Sequence, residues 1–115
     1  MKIKVREEGS VVVFSVDSSV LQEHIPVFRE RLNDIIARKK CWIVFDLFEA
    51  HYISSIGISV LLEIKKKAND SGGEVVFANV NHLIMNLFKV TELLKTLEVH
   101  NSVEEAVEAL KKKMP

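Results

Sequence analysis

CWIVFDLF at 41–48, the turn EAHYIS at 49–54 and then SIGISVLLEIKKKAN at 55–69 form the stretch that decides the fold. Cys41 to Phe48 is a short, nearly unbroken apolar run that ends as a strand at Asp46, the pattern of a central strand covered on both faces. From Ser55 the period changes. Ile58, Leu61, Leu62, Ile64 and Ala68 fall on one side and Glu63, Lys65, Lys66 and Lys67 on the other, which predicts an amphipathic helix that Ser71-Gly72-Gly73 stops.

The same alternation extends outward in both directions. Upstream, Ile25, Phe28, Leu32, Ile35 and Ile36 recur at helical spacing, with Pro26 where a first turn tolerates it and Arg38-Lys39-Lys40 at the end. Before that helix, Ile3, Val5 and Val11 to Val16 flank Glu7-Glu8-Gly9-Ser10 at hairpin spacing. Downstream, Glu74 to Val80 reads as a strand, and Asn81 to Val90 as a helix with Leu83, Ile84, Leu87 and Phe88 on one stripe. Leu97 to Val99 reads as a short strand. Ser102 caps a last helix through Val103, Ala106, Val107 and Leu110 to Lys111-Lys112-Lys113.

The order β-β-α-β-α-β-α-β-α implies an α/β fold, because helices that link successive strands are crossover connections. The expectation is a mostly parallel five-stranded sheet with an N-terminal antiparallel hairpin and four helices. Its core would hold Ile43, Phe45, Leu61, Val76, Phe77, Leu87 and Val107.

Composition narrows the function. The 115 residues fit one domain, 1–115, and 48% hydrophobic residues exclude disorder. Sixteen Lys plus Arg balance sixteen Asp plus Glu, so no broad field favours nucleic acid or an anionic membrane. The single cysteine, Cys41, excludes an intramolecular disulfide and multi-cysteine metal sites, and the expected location is the cytoplasm. Met1 to Glu8 lacks the apolar region of a signal peptide, and no run approaches the ~18 apolar residues of a membrane helix, so no membrane insertion is expected.

Most catalytic constellations lack support. No glycine pattern for phosphate follows a strand, so nucleotide binding is not expected. His24, His51, His82 and His100 lie on different elements without a second ligand at i+3 or i+4, so neither metal nor cofactor is expected. Gly57-Ile58-Ser59 is half a nucleophile elbow without its second glycine. Asp46, His51 and Ser55 follow one strand, turn and helix too closely to form a hydrogen-bonded row, so no enzyme is expected. What remains is the turn His51-Tyr52-Ile53-Ser54-Ser55, which delivers two hydroxyls to a helix N-terminus whose N–H groups lack partners. A serine there is a helix cap or a phosphorylation site.

This segment resembles the signature of the STAS family, the domain shared by bacterial anti-sigma factor antagonists and the cytoplasmic tails of sulfate transporters. The family pattern reads roughly D-L-S after the strand, then F-M-D-S-S-G-L-G-V-L-L. Here Asp46-Leu47-Phe48 and Tyr52-Ile53-Ser54-Ser55-Ile56-Gly57-Ile58-Ser59-Val60-Leu61-Leu62 match it. Gly72-Gly73 before a strand, Leu87 with Val90-Thr91-Glu92-Leu93 for L-x-x-T-G-L, and Ser102 to Ala106 for S-x-x-E-A follow in the same order.

The resemblance implies an anti-sigma factor antagonist that acts by partner switching. Unphosphorylated, it would bind an anti-sigma factor that is also a serine kinase; phosphorylation of the serine matched by Ser55, with Ser54 as the alternative, would break the complex, and a serine phosphatase would reset it. Asp17, Leu21, His24, Ser54, Ser55, Ile56 and Ser59 would form the partner surface. The chain departs from the pattern where Ser54 replaces an acid, Ile56 a small residue, Ser59 and Glu92 glycines, and Leu21 an aspartate, with Asp17 four residues earlier. A scaffold that is never phosphorylated, in a signalling or lipid-transport complex, is the alternative those departures leave open.

Overall fold

In the computed structural model, which describes residues 1–90 and 96–115, a five-stranded sheet runs in sequence order with helices on both faces. The elements are β1 (Ile3–Glu8), β2 (Val11–Val16), α1 (Ile25–Ala37), β3 (Trp42–Asp46), α2 (Ser55–Asp70), β4 (Glu74–Ala78), α3 (His82–Val90), β5 (Val99–His100) and α4 (Val103–Lys113). β1 pairs antiparallel with β2, and all later pairings are parallel. The expected fold class is therefore the observed one. The proposed match at Thr91-Glu92-Leu93 lies outside the described residues.

Alternation along the strands builds two apolar layers, because successive side chains point to opposite faces. Val12, Phe14, Ile43, Phe45, Val75 and Phe77 pack under α1, α2 and α3. Val11, Val13, Val44, Val76 and Ala78 pack against Val103, Ala106, Val107 and Leu110 of α4. Right-handed crossovers in a sheet of order 1-2-3-4-5 bring α1, α2 and α3 to one face, and α4 returns across the other. Phe14, Phe45 and Phe77 stand in register across β2, β3 and β4. With Phe28 of α1 and Phe88 of α3 they form a continuous row of rings at centroid spacings of 5.8, 5.5, 5.4 and 5.7 Å.

Three local expectations are corrected. Leu87 is half-buried and packs with Met85 against the margin of the core, and Leu83 is exposed, so Ile84 and Phe88 are the residues of α3 that are fully buried. The reason is that α3 covers the sheet edge, where β5 is two residues long. β5 itself forms at Val99–His100, not Leu97–Val99: Leu97 plugs the core, and the Glu98 carbonyl accepts the Phe77 N–H at 2.9 Å. Phe48, at the end of the apolar run, is 73% exposed. The Asp46 carboxylate accepts the Phe48 N–H at 3.1 Å and turns the chain out of the sheet.

Parallel crossover units place the carboxyl ends of strands and the N-termini of helices at one end of the molecule, where open sheets of this kind collect ligands. The segments after β2 and β3 both emerge there.

Candidate functional site

Two loops meet at that end. Val20, after β2, forms a parallel bridge with Ile53, after β3: the Val20 N–H donates to the Tyr52 carbonyl and the Ser54 N–H to the Val20 carbonyl, both at 2.9 Å. Ser19 Oγ accepts the Tyr52 N–H at 3.1 Å, and Val20 and Ile53 are fully buried. The sheet is thus prolonged past its last regular pairs, and the turn before α2 is fixed against the loop from Asp17 to His24.

The bridge presents the two candidate serines differently. Ser54 is the N-cap of α2, and its Oγ accepts the Gly57 N–H at 3.1 Å. Ser55 is the first helical residue and is exposed. Among the described residues its hydroxyl has no hydrogen-bond partner, and neither do the N–H groups of Ser55 and Ile56. Ser59, one turn on, donates its hydroxyl to the Ser55 carbonyl at 3.1 Å and shares the exposed side with Ile56. Gly57 permits this start: a Cβ there would lie 2.8 Å from Ile53 Cγ2, 3.2 Å from Val20 Cγ1 and 3.3 Å from Ser54 Oγ.

Beside the turn lies an open groove of about 620 Å³ between the Asp17–His24 loop and the Phe48–His51 turn. Leu21 and Phe48 line it and are exposed, and Tyr52 and Ile56 add exposed apolar surface nearby. His24 ends a short 3-10 turn, Gln22–His24, which sequence periodicity does not disclose. Its Nδ1 accepts the Leu21 N–H at 3.1 Å, so the neutral ring carries its proton on Nε2. Asp17 also lines the groove, but its carboxylate accepts the Lys2 N–H at 2.7 Å. That hydrogen bond, reinforced by the N-terminal charge and opposed by slight desolvation, holds the carboxyl below the usual aspartate range.

The remaining groups serve structure. Asp46 accepts Ser15 Oγ at 3.3 Å and Asn79 Nδ2 at 3.0 Å, in addition to the Phe48 N–H. No hydrogen bond joins Asp46, His51 and Ser55 among the described residues, so the arrangement has no hydrolytic row. What the site does offer is an exposed, unengaged serine hydroxyl beside an apolar groove. Phe48 was missed as a surface residue by the reading of the apolar run; Asp46 two positions earlier, a residue that turns the chain by accepting the N–H two on, is the signal that could have found it.

Comparison with known proteins gives one family and a consistent set of relatives. The family model of the STAS domain matches residues 2–106. BtrV of Bordetella bronchiseptica is 33% identical over 73 residues, 64% of this chain and 63% of that protein, so the match spans just under two thirds of its length. The anti-sigma F factor antagonist of Paenibacillus polymyxa is 22% identical over 111 residues, 96% of this chain and 95% of that one. Among solved structures, TM1081 of Thermotoga maritima superposes with a TM-score of 0.91 at 19% identity, covering 95% of this chain and 94% of the other. Unphosphorylated SpoIIAA superposes at 0.75 with 13% identity, covering 96% of each chain, and phosphorylated Bacillus SpoIIAA at 0.74 with 14%, covering 94% and 98%. At these identities the structures share the fold.

Proposed function

The chain belongs to the STAS domain family, and from that premise we propose that it is an anti-sigma factor antagonist controlled by phosphorylation of Ser55. Unphosphorylated, it docks onto a kinase-type anti-sigma factor through the Asp17–His24 loop, the Tyr52–Ser55 turn and the Ile56–Ser59 side of α2, and so frees the sigma factor. Asp17, Leu21, His24, Ser54, Ser55, Ile56 and Ser59 meet the partner, and the hydrogen bond from the Lys2 N–H holds Asp17 within the loop. The protein is a non-enzymatic regulator that works in the cytoplasm as one domain over 1–115 and uses neither nucleic acid nor a membrane. No helix among the described residues is long and apolar enough to cross a bilayer.

The observation that carries this reading is the division of labour between adjacent hydroxyls: Ser54 caps α2 and Ser55 stands unengaged beside it. In the transfer, Ser55 Oγ bonds to the γ-phosphorus of ATP, the bond to the ADP oxygen breaks, and the hydroxyl proton passes to a base of the kinase. The new phosphate meets the open N–H groups of Ser55 and Ile56, so the helix need not unfold. SpoIIAA, a neighbour in fold, has been solved in a phosphorylated form, which supports the compatibility of this architecture with the modification. The phosphate adds about −1.5 to −2 charge to a surface that docking takes out of water, which opposes docking. A serine phosphatase restores the docking form.

The test is incubation with the cognate kinase-type anti-sigma factor and ATP, followed by peptide mass spectrometry. One phosphate on Ser55, absent from Ser55→Ala, is expected. A phosphate on Ser54 would overturn the division of roles, and tight binding without any phosphorylation would favour the constitutive scaffold.

A further inference from the structure

Phe48 places a large, exposed aromatic side chain on a turn whose backbone is held by hydrogen bonds. Its ring is 73% exposed, whereas the residues on either side of the turn, Leu47 and Ala50, are buried. The backbone beneath it is fixed. The Leu47 N–H donates to the Ala78 carbonyl and the Ala50 N–H to the Leu47 carbonyl, each at 3.0 Å, and the Phe48 N–H is held by Asp46. Asn81 closes the turn by donating to the Ala50 and His51 carbonyls at 3.1 and 3.2 Å, while its Oδ1 accepts the Ile84 N–H at the start of α3. A core-anchored turn therefore displays an aromatic ring to water. The ring is a ridge between two hollows, the groove of about 620 Å³ already described and a second of about 380 Å³ between β3 and the start of α4.

The charged side chains lining the two hollows are mostly acidic. Glu49 lines both hollows, Asp17 the first, and Glu104 and Asp46 the second. Among the described residues, the only lysine or arginine lining either is Arg6, which is paired with Glu8 at 3.0 Å. Glu49 and Glu104 have no ion-pair partner among the described residues. Around Ser55 the surface instead carries hydroxyls and apolar groups.

From this geometry we infer that Phe48 is the anchor of the docking surface, and that its occupant is an apolar pocket of the kinase-type anti-sigma factor rimmed by lysine or arginine. The inference rests on the docking function proposed above and extends its surface past the loop and α2 onto the Phe48 turn. An aromatic side chain buries a large apolar area while giving up few rotatable torsions, which is why aromatic residues recur as anchors of protein interfaces. Rim carboxylates contribute chiefly to the rate of encounter and its salt dependence.

The test uses each purified kinase-type anti-sigma factor encoded in the source genome, titrated first with the wild-type protein to identify the one that binds, then with Phe48→Ala, Phe48→Leu, Glu49→Lys and Ser55→Asp. Phe48→Ala should weaken binding at least thirtyfold, mainly through faster dissociation, and Phe48→Leu should recover part of the loss. Glu49→Lys should slow association severalfold at low salt and flatten its salt dependence. Because the ring is exposed, Phe48→Ala should leave the denaturant unfolding midpoint of the free protein unchanged, which separates lost docking from lost folding. Wild-type affinity for Phe48→Ala together with weak binding by Ser55→Asp would overturn the anchor and leave the phosphorylation switch standing. Wild-type affinity for both, or binding to none of these factors, would overturn the docking function on which it rests.

Discussion

Val20 and Ile53 form a parallel bridge beyond the regular ends of β2 and β3, and both side chains are fully buried. The relationship turns two loops into one surface. It fixes Ser54 where its Oγ can cap α2 and leaves Ser55 outside with its hydroxyl open to solvent.

Gly57 is the residue that lets α2 start so close to this bridge. In Gly57→Ala the new Cβ would meet Ile53 Cγ2 at 2.8 Å, nearer than side chains tolerate. Overpacking of this kind costs about 1–3 kcal/mol, more than alanine's better helix propensity returns. Equilibrium unfolding in denaturant should show the loss, and a variant as stable as the wild type would mean that the bridge yields easily.

Ser54→Ala removes the cap and should cost about 1 kcal/mol on unfolding. Ser54→Asp should retain wild-type stability, because aspartate caps a helix about as well as serine. The same pair of changes at Ser55, which caps nothing, should move the unfolding midpoint little. If Ser55→Ala proved the more destabilising, the roles of the two hydroxyls would be exchanged.

Much of this was legible in the chain. The apolar run at 41–48, the helical period from Ser55 and the hairpin spacing before residue 16 dictate a parallel sheet with one antiparallel edge, as observed. Cross-strand register was not, since the alignment of Phe14 with Phe45 and Phe77 depends on pairing between segments about 30 residues apart. Near the site, the two serines stood out by spacing from the helix start. The tie of Asp17 to the Lys2 N–H could not be read, because it joins a loop to a residue 15 positions away. Leu83 and Leu87 illustrate a different limit: the stripe of α3 is wider than the strip of sheet available to bury it.

At the sheet edge, Glu98 receives Lys113 of α4 and His100 Nε2, each at 2.6 Å. The hydrogen bond from Lys113, with that from His100 and against a desolvation cost, holds the Glu98 carboxyl below the usual glutamate range. A depressed carboxyl contributes stability above its unfolded value, and that contribution is lost as pH falls through its lower folded value. Lys113→Met should therefore be less stable at neutral pH by about 0.2–1 kcal/mol, the scale of an exposed pair, with the gap closing in acid. Parallel unfolding curves from pH 7 down to pH 3 would check this; a gap constant throughout would exclude the pair as its source.

The central claim is that docking answers to charge at Ser55 rather than to the hydroxyl itself. Burying an anion there without a countercharge costs about 2–5 kcal/mol, at least an order of magnitude in affinity. The most direct measurement is a titration of the kinase-type anti-sigma factor with the wild-type, Ser55→Ala and Ser55→Asp proteins at one ionic strength. Ser55→Ala should bind within a few fold of wild type and Ser55→Asp at least tenfold more weakly, whereas equal affinities for all three would contradict the switch.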